Sequence, residues 1–328
     1  MKVLILNHSE VESLLPMREC IPVMEEAFVA LARNDFHQPL RTIVKPTNAK
    51  GVMALMPTFR KGNEPLFGLK AICVFPGNSL IGKDAHQGGV LLFNGQTGEL
   101  MSVVNASAVT SIRTAAVSGL ATRLLANANA AELAVIGSGV QARSHLEAMA
   151  CVRPLRRARI ASLHFEKARK FAEEMQKLYD FSVEAVSGAE DAVRGADLIV
   201  TATMAREPVL KREWISPGAH INAVGTYSPK AREIDGATMA AATLIVDRRE
   251  SAINEAGDYM LAVEEGAISP DHIRAELSEV VTGVHPGRTS GEELTIFKSL
   301  GLAIEDLAAA AYVYQKAADQ NAGKWIDF

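Results

Sequence analysis

Residues 131–142, AELAVIGSGVQA, constrain the fold of this chain more than any other stretch. The apolar run Leu133–Ile136 reads as a buried strand that passes through a glycine turn into a helix expected over Val140–Ala150. Gly137 permits a tight exit from the strand, and Gly139 places no side chain between the backbone and an approaching pyrophosphate. Ala142 lets helix and strand pack closely, while the helix N-terminus offers free N–H groups and a positive dipole end. A bare G-x-G-x-x-A spacing arises by chance; the flanking strand and helix are the context in which it reads as a dinucleotide turn.

The surrounding pattern agrees. From Glu132 onward strands alternate with helices, with strands expected at Leu133–Ile136, Arg159–Leu163, Ser182–Ala185, Leu198–Thr203, His220–Val224 and Thr243–Val246. That alternation predicts an α/β fold, a Rossmann-type doubly wound parallel sheet covered on both faces. The preceding segment differs. Val3–Leu6 reads as a strand, and Pro16–Arg33 as a helix with apolar residues at Cys20, Val23, Met24, Ala27, Phe28 and Leu31. Short strands are expected at Arg41–Lys45, Val52–Met56, Phe67–Phe75, Gly89–Phe93 and Leu100–Val104, broken by FRKGNEP, PGN and NGQTG. They predict a mostly antiparallel sheet. Ser107–Ala126 reads as one long helix, and Thr295–Gln315 as a final helical stretch.

The 328 residues suggest about two domains. With 48% hydrophobic and 22% charged residues the chain can build a sizeable core. A net charge of −4 leaves no basic footprint for nucleic acid and no polybasic segment for a membrane. No apolar run approaches the ~18 residues of a transmembrane helix. The opening MKVLILNHSE has too short an apolar run for a signal peptide and reads as a first strand. Cys20, Cys73 and Cys151 are scattered without metal-ligand spacing, so buried reduced thiols, a cytoplasmic location and no metal site are expected.

A dinucleotide site names a cofactor class, not a reaction. Three cations outside the turn are candidates for the chemistry: Arg41 in QPLRTIV, Lys70 in GLKAICVFPGN and Arg113 in TSIRTAAVSG. Most Lys and Arg are solvated surface residues. Lys70, however, is flanked by Leu69, Ala71, Ile72 and Val74, so an alternating strand can aim it into a cleft. Arginine's planar fork suits a carboxylate, and a lysine in a partly dry site can shuttle a proton. The set fits a small anionic substrate, though spacing alone does not bring the three together. Met53, Met56, Phe75 and Tyr227 hint at a small apolar pocket or belong to the core.

The run HQGGVLLFNGQTGELMSVVNASAVTSIRTAAVSGLATRLLA, followed by GSGVQA, resembles the ornithine cyclodeaminase/mu-crystallin family. So do NAVGTYSPKAREID at 222–235 and TIFKSLGLAIEDLAAA at 295–310, and the resemblance covers nearly the whole chain. It implies a homodimer built through a smaller α+β substrate-binding domain, 1–115 plus 301–328, with the dinucleotide-binding domain, 116–300, inserted in it. Family members act on small α-amino or α-imino acids: cyclodeaminases, archaeal-type alanine dehydrogenases, ketimine and pyrroline-carboxylate reductases, hydroxyproline dehydratases. Carried over by motif, Arg41 and Lys70 would hold the substrate carboxylate, with Lys70 also moving a proton. Arg113 and Thr114 would lie between substrate and cofactor phosphates. A loop at 85–88, with Ala85, His86 and Gln87, would approach the nicotinamide.

One position departs from the family pattern. Cyclodeaminases carry an Asp after the AVGG turn, where AVGTYSP here holds Tyr227. A phenol with pKa near 10 donates a hydrogen bond but is no carboxylate base at neutral pH. Imine reduction is therefore favoured over ornithine cyclisation; Tyr227 says little about a hydroxyproline dehydratase, the other lyase reading, and hormone-type binding without catalysis is a third class. Asp235 is expected to cap a helix, and Asp306 lies either toward the substrate or on a solvated helix face.

The second strand of a dinucleotide fold ends in an acidic residue when NAD is used. Here Ser162 and His164 stand in that region with Lys167 nearby, a set compatible with a 2′-phosphate, so NADP(H) is favoured over NAD(H). Glu166 is either a ribose ligand or a residue favourable to the helix dipole. The turn residues Gly137, Ser138, Gly139, Val140 and Gln141, with Thr203, Met204, Val224 and Ser299, complete the expected cofactor contacts.

Overall fold

The computed structural model describes residues 2–328, and the side chains of all of these except Ser79 and Leu80. The chain begins with β1 (Lys2–Leu6), α1 (His8–Leu14) and α2 (Met17–Ala32). Strands β2 (Phe36–His37), β3 (Thr42–Val44), β4 (Val52–Arg60), β5 (Leu66–Val74), β6 (His86–Asn94) and β7 (Leu100–Asn105) follow. Helix α3 (Ala106–Leu125) leads to β8 (Glu132–Ile136), α4 (Val140–Val152), β9 (Arg157–Ala161), α5 (Phe165–Gln176) and β10 (Ser182–Ala185). Next come α6 (Ala189–Val193), β11 (Leu198–Thr201), β12 (His220–Ala223), α7 (Gly236–Ala241) and β13 (Thr243–Val246). The chain continues through α8 (Arg249–Glu255), α9 (Gly257–Glu264), β14 (Ile273–Glu276) and α10 (Leu277–Val281). It closes with β15 (Thr295–Lys298), α11 (Ala303–Gln320) and β16 (Lys324–Asp327).

These elements form two compact units, Met1–Thr114 with Gly301–Phe328, and Ala115–Leu300. In the first, the sheet order is β16-β1-β7-β6-β5-β4-β2, with β3 also on β4. All pairings are antiparallel except β1 with β7. Alternation along β5 buries Leu66, Gly68, Lys70 and Ile72 on one face, the face that α11 covers. Gly68 permits that packing: a Cβ there would lie 2.9 Å from Leu307 Cδ1. Leu307, Leu66 and Leu92 form a small core with Phe36, Met101 and Tyr314 against it. A leucine buried in this way contributes roughly 1.5–3 kcal/mol.

The second unit holds an eight-stranded sheet in the order β10-β9-β8-β11-β12-β15-β13-β14, parallel throughout. Strands β11, β12 and β15 are buried at every residue, as a sheet covered on both faces requires. His145 on α4 is buried between Gln141 O and Ser118 Oγ, and burial pushes its pKa down to about 4, so the ring is neutral.

Three local expectations change. Thr295–Lys298 is not helical: it is β15, inserted between β12 and β13. Its β-branched and aromatic side chains fill a wholly buried central strand, and Gly301, at φ +79°, breaks the chain before α11. Residues 86–88 are not a loop, because β6 pairs with β5 along its whole length, placing His86 opposite Val74 and Gln87 opposite Cys73. The second strand of the nucleotide unit ends at Ala161, which leaves Ser162 at its exit and Leu163 exposed. Of the cysteines only Cys20 is fully buried, and all three are free thiols. No helix among the described residues is long and apolar enough to cross a membrane.

Candidate active site

In the first unit, β5 delivers Lys70 to the helix-covered face, in register with Met56 on β4 and Val90 on β6. Its Nζ lies 3.0 Å from Oδ1 of Asp306 in the first turn of α11. Arg113, from α3, donates Nε to the same oxygen at 3.1 Å and pairs through Nη1 with Glu305. All four side chains are almost wholly buried. Glu305 also accepts the Leu302 N–H at 3.1 Å, capping the helix that carries it. Two acidic residues in a helix's first turn are favoured by its dipole. Arg41 lies just before β3 and donates Nη2 to Gly301 O at 3.0 Å. Gly301 is required beside this cluster, since a Cβ there would meet Arg113 Nη1 at 2.4 Å.

The electrostatics follow from burial. Burial pulls the Lys70 pKa down to about 8; Arg113 and Arg41 push the same way, and Asp306 opposes them. Burial also opposes the Arg113 charge, but Asp306 and Glu305 outweigh it and hold its pKa above the ordinary arginine value. His86 is pulled down to about 4 by burial, then by Lys70 and Arg113, so its ring is neutral near pH 7. Ala85 accepts the Phe75 N–H at 2.8 Å, and the Thr114 hydroxyl bonds back to Thr110 O at 2.7 Å. Asp306 is therefore no solvated residue; nothing singled out Glu305, whose one signal is a neighbouring acidic pair inside the apolar run LAIEDLAAA.

In the second unit the glycine turn follows β8. Gly137 adopts φ +128°, and a Cβ there would lie 2.5 Å from Ala202 O. Gly139 is the N-cap of α4 with no side-chain cap, and a Cβ at that position would meet nothing within 4 Å. The α4 N-terminus therefore presents its N–H groups to open space, with Val140 exposed beside it and Gln141 half-buried. Ser138 Oγ lies 2.9 Å from Ser162 Oγ at the exit of β9. His164 is the N-cap of α5, and Lys167 is exposed in its first turn. Glu166 there pairs with Arg169.

Thr203 and Met204 follow β11, Val224 and Tyr227 follow β12, and Ser299 follows β15. In a parallel sheet all these positions share the carboxyl edge, and the boundary between β8 and β11 is where the strand order reverses. Met204 is 79% exposed and Tyr227 43%, whereas Ser299 Oγ is buried without a hydrogen-bond partner. The open space at Gly139 and that orphaned hydroxyl on the same edge both fit a dinucleotide. Asp235 caps α7, accepting the Thr238 N–H at 2.9 Å. No group of three or more His, Cys, Asp or Glu among the described residues could hold a metal ion.

A doubly wound parallel sheet with a glycine turn at its switch point, carried within an α+β unit, defines a Rossmann-type protein of dinucleotide-binding architecture. More narrowly, the chain belongs to the ornithine cyclodeaminase/mu-crystallin family, whose model matches residues 1–321. It is 39% identical to the mouse (Mus musculus) ketimine reductase mu-crystallin over 297 residues, 90% of each chain. It superposes on the Thermococcus litoralis Delta(1)-pyrroline-2-carboxylate reductase, in complex with NADH and L-proline, with a TM-score of 0.95 and 38% identity. That match covers 98% of this chain and 99% of the other. An archaeal alanine dehydrogenase dimer with bound NAD matches over 100% of both chains, with a TM-score of 0.93 and 35% identity.

Proposed function

We propose that this protein reduces small α-imino acids with a nicotinamide cofactor, NADP(H) in preference to NAD(H), with Arg41 and Lys70 holding the substrate carboxylate. The observation that carries this reading is the buried cluster of the first unit. Lys70 and Arg113 lie buried against Glu305 and Asp306, with Arg41 close enough to act on Lys70, so three cations converge on one place in a way that suits a carboxylate substrate. The relatives support it, since a ketimine reductase matches 90% of the chain and a Delta(1)-pyrroline-2-carboxylate reductase and an alanine dehydrogenase share the whole fold.

When bound, the reduced cofactor supplies the hydride that Cα of a C=N bond accepts. The chain's own task is to orient the acid and manage one proton, because reduction leaves the nitrogen needing H⁺. Lys70 Nζ, poised on Asp306 and with its pKa lowered to about 8, holds that proton at neutral pH. Fixing the carboxylate with two cations supplies orientation. The NADP(H) preference rests on Ser162, His164 and Lys167 standing where an acidic residue would repel a 2′-phosphate.

Consumption of NADPH and NADH at 340 nm tests the reading, with pyrroline-2-carboxylate, piperideine-2-carboxylate, and pyruvate plus ammonia or methylamine as substrates. Saturable turnover, faster with NADPH, is expected. No turnover on any of them, with ammonia and proline appearing from ornithine and NAD⁺, would overturn it in favour of a lyase despite Tyr227.

The pH profile carries a sign. Imine reduction needs protonated Lys70, so its rate falls as pH rises through about 8, whereas amino-acid oxidation needs the neutral amine and rises through the same value. Asp306→Asn removes the one charge that raises the Lys70 pKa, leaving burial and Arg113 to lower it, so both limbs move to lower pH. An unmoved profile in this variant would remove Lys70 as the titrating group.

The archaeal alanine dehydrogenase dimer also bears on the first unit. The face of its sheet opposite α11 shows Met53 and Phe67 at 40% and 48% exposure, with the Phe59 and Phe67 rings 4.6 Å apart. A contiguous apolar face of this kind marks an interface, and a second copy of this chain is its proposed occupant. Phe67→Asp is expected to give monomers by sedimentation at micromolar concentration where the wild type is dimeric; a variant dimer as tight as the wild type would place the interface elsewhere.

A further inference from the structure

Beyond the glycine turn, the second unit buries a charged network that none of the roles above uses. Glu233, in the segment between β12 and α7, is wholly buried and accepts four hydrogen bonds. One comes from Thr201 Oγ1 at 2.9 Å and two from the backbone and hydroxyl of Thr203, each at 2.7 Å. The fourth comes from the Gly225 N–H at 2.7 Å. A single carboxylate thus ties the end of β11 to the end of β12.

Glu233 is itself fixed from behind. Asp258 on α9 accepts the N–H groups of Glu233 and Ile234 at 2.7 and 3.0 Å. Its other oxygen receives Lys298 Nζ from β15 at 2.8 Å and Thr226 Oγ1 at 3.0 Å. Lys298 also donates to Thr226 O at 2.8 Å. Gly225 fits only because it lacks a side chain: a Cβ would lie 2.2 Å from Thr203 O and 2.5 Å from Glu233 Oε1. Two buried carboxylates lie near one lysine, which pairs with Asp258, an arrangement that is costly unless their lone pairs are used. Burial and Asp258 push the Glu233 pKa up, while Lys298 and the Thr203 donors work against that shift.

We propose that Glu233 is a positioning residue for the nicotinamide half of the cofactor, clamping the loops after β11 and β12 into one rigid rim while leaving the adenosine half untouched. The inference rests on the dinucleotide reading above. Its geometry is specific, because a doubly wound sheet binds the two mononucleotides on opposite sides of the switch point. The turn after β8 and the exit of β9 serve the adenosine side, and neither touches Glu233. The loops carrying Thr203 and Val224 serve the other side, and Glu233 is bonded to Thr203 and to Gly225, next to Val224. A preorganised rim lowers the ordering cost of binding.

The test compares whole cofactor with half cofactor in Glu233→Gln, whose amide cannot accept all four donors. Dissociation constants for NADPH and NADH are measured beside those for 2′,5′-ADP and 5′-ADP, with thermal melting as a control. The expected result is a fall of about tenfold or more in dinucleotide affinity with fragment affinity unchanged. Should Glu233→Gln not fold, Thr201→Val removes one donor at nearly constant shape and is expected to show a smaller split in the same direction. Equal loss of dinucleotide and fragment, or no loss of either, overturns the proposal. A wild-type protein that binds neither dinucleotide is a different failure: the reading beneath the proposal falls, and the proposal with it.

Discussion

Lys70→Ala is expected to lower kcat for imine reduction by about 10²–10⁴-fold, the usual worth of a positioned proton donor. The fall should appear with little change in the dissociation constant for NADPH, because every cofactor group named in the nucleotide unit is untouched. Removing one partner of a buried ion pair commonly costs about 3–5 kcal/mol of stability. Here Asp306 Oδ1 keeps the Arg113 Nε–H at 3.1 Å, so its charge is not left alone. Melting temperature and NADPH titration therefore separate chemistry from folding. Lys70→Met, nearly isosteric, should show the same kinetic loss with a smaller fall in melting temperature. A Lys70→Met enzyme that binds NADPH and reduces pyrroline-2-carboxylate at the wild-type rate would remove Lys70 from the mechanism.

The second large effect is expected at the glycine turn, where two glycines two residues apart have different reasons to be glycine. At Gly139 the backbone is extended, φ −88°, and the space around a Cβ is empty, so Gly139→Val should fold as the wild type does. Its isopropyl group would occupy the approach to the α4 N-terminus. The loss of one or two charge-assisted N–H contacts, about 1.5–3 kcal/mol each, corresponds to a roughly 10–100-fold or greater loss of dinucleotide affinity. At Gly137 the backbone holds φ +128° with Ala202 O in the path of a Cβ. Gly137→Ala should therefore cost stability directly, at least about 1–3 kcal/mol of backbone strain. Calorimetry and NADPH titration of the pair check both statements. Unchanged affinity in Gly139→Val would mean that no phosphate sits at this helix end.

These two experiments probe the chain where it was most and least readable from its own letters. The turn after β8 was readable because its determinants lie within a dozen residues: an apolar strand, two glycines, a small residue, a helix. The strands Ser182–Ala185 and Thr243–Val246 and the helix α2 were readable for the same reason, since alternation and 3.6-residue spacing are local patterns. TIFK was misread because four residues before a long helix have no local signature of their own. Only their position between β12 and β13 makes them a strand.

The charged clusters belong to the other category. Lys70 stood out in sequence as a cation among apolar neighbours, but its partner Asp306 is 236 positions away. Arg113 meets Glu305 and Asp306 across nearly two hundred residues, and Glu233, Asp258 and Lys298 come from a loop, a helix and a strand. An acidic residue on a helix reads alike whether it faces solvent or a buried lysine. Short-range sterics and periodic burial let the sequence by itself determine most of the secondary structure, the turn and the layered class of this protein. Which charges share a dry interior, and so which acids and bases are tuned, was decided only by the tertiary structure, because Coulomb energy and desolvation depend on distances that long-range packing sets.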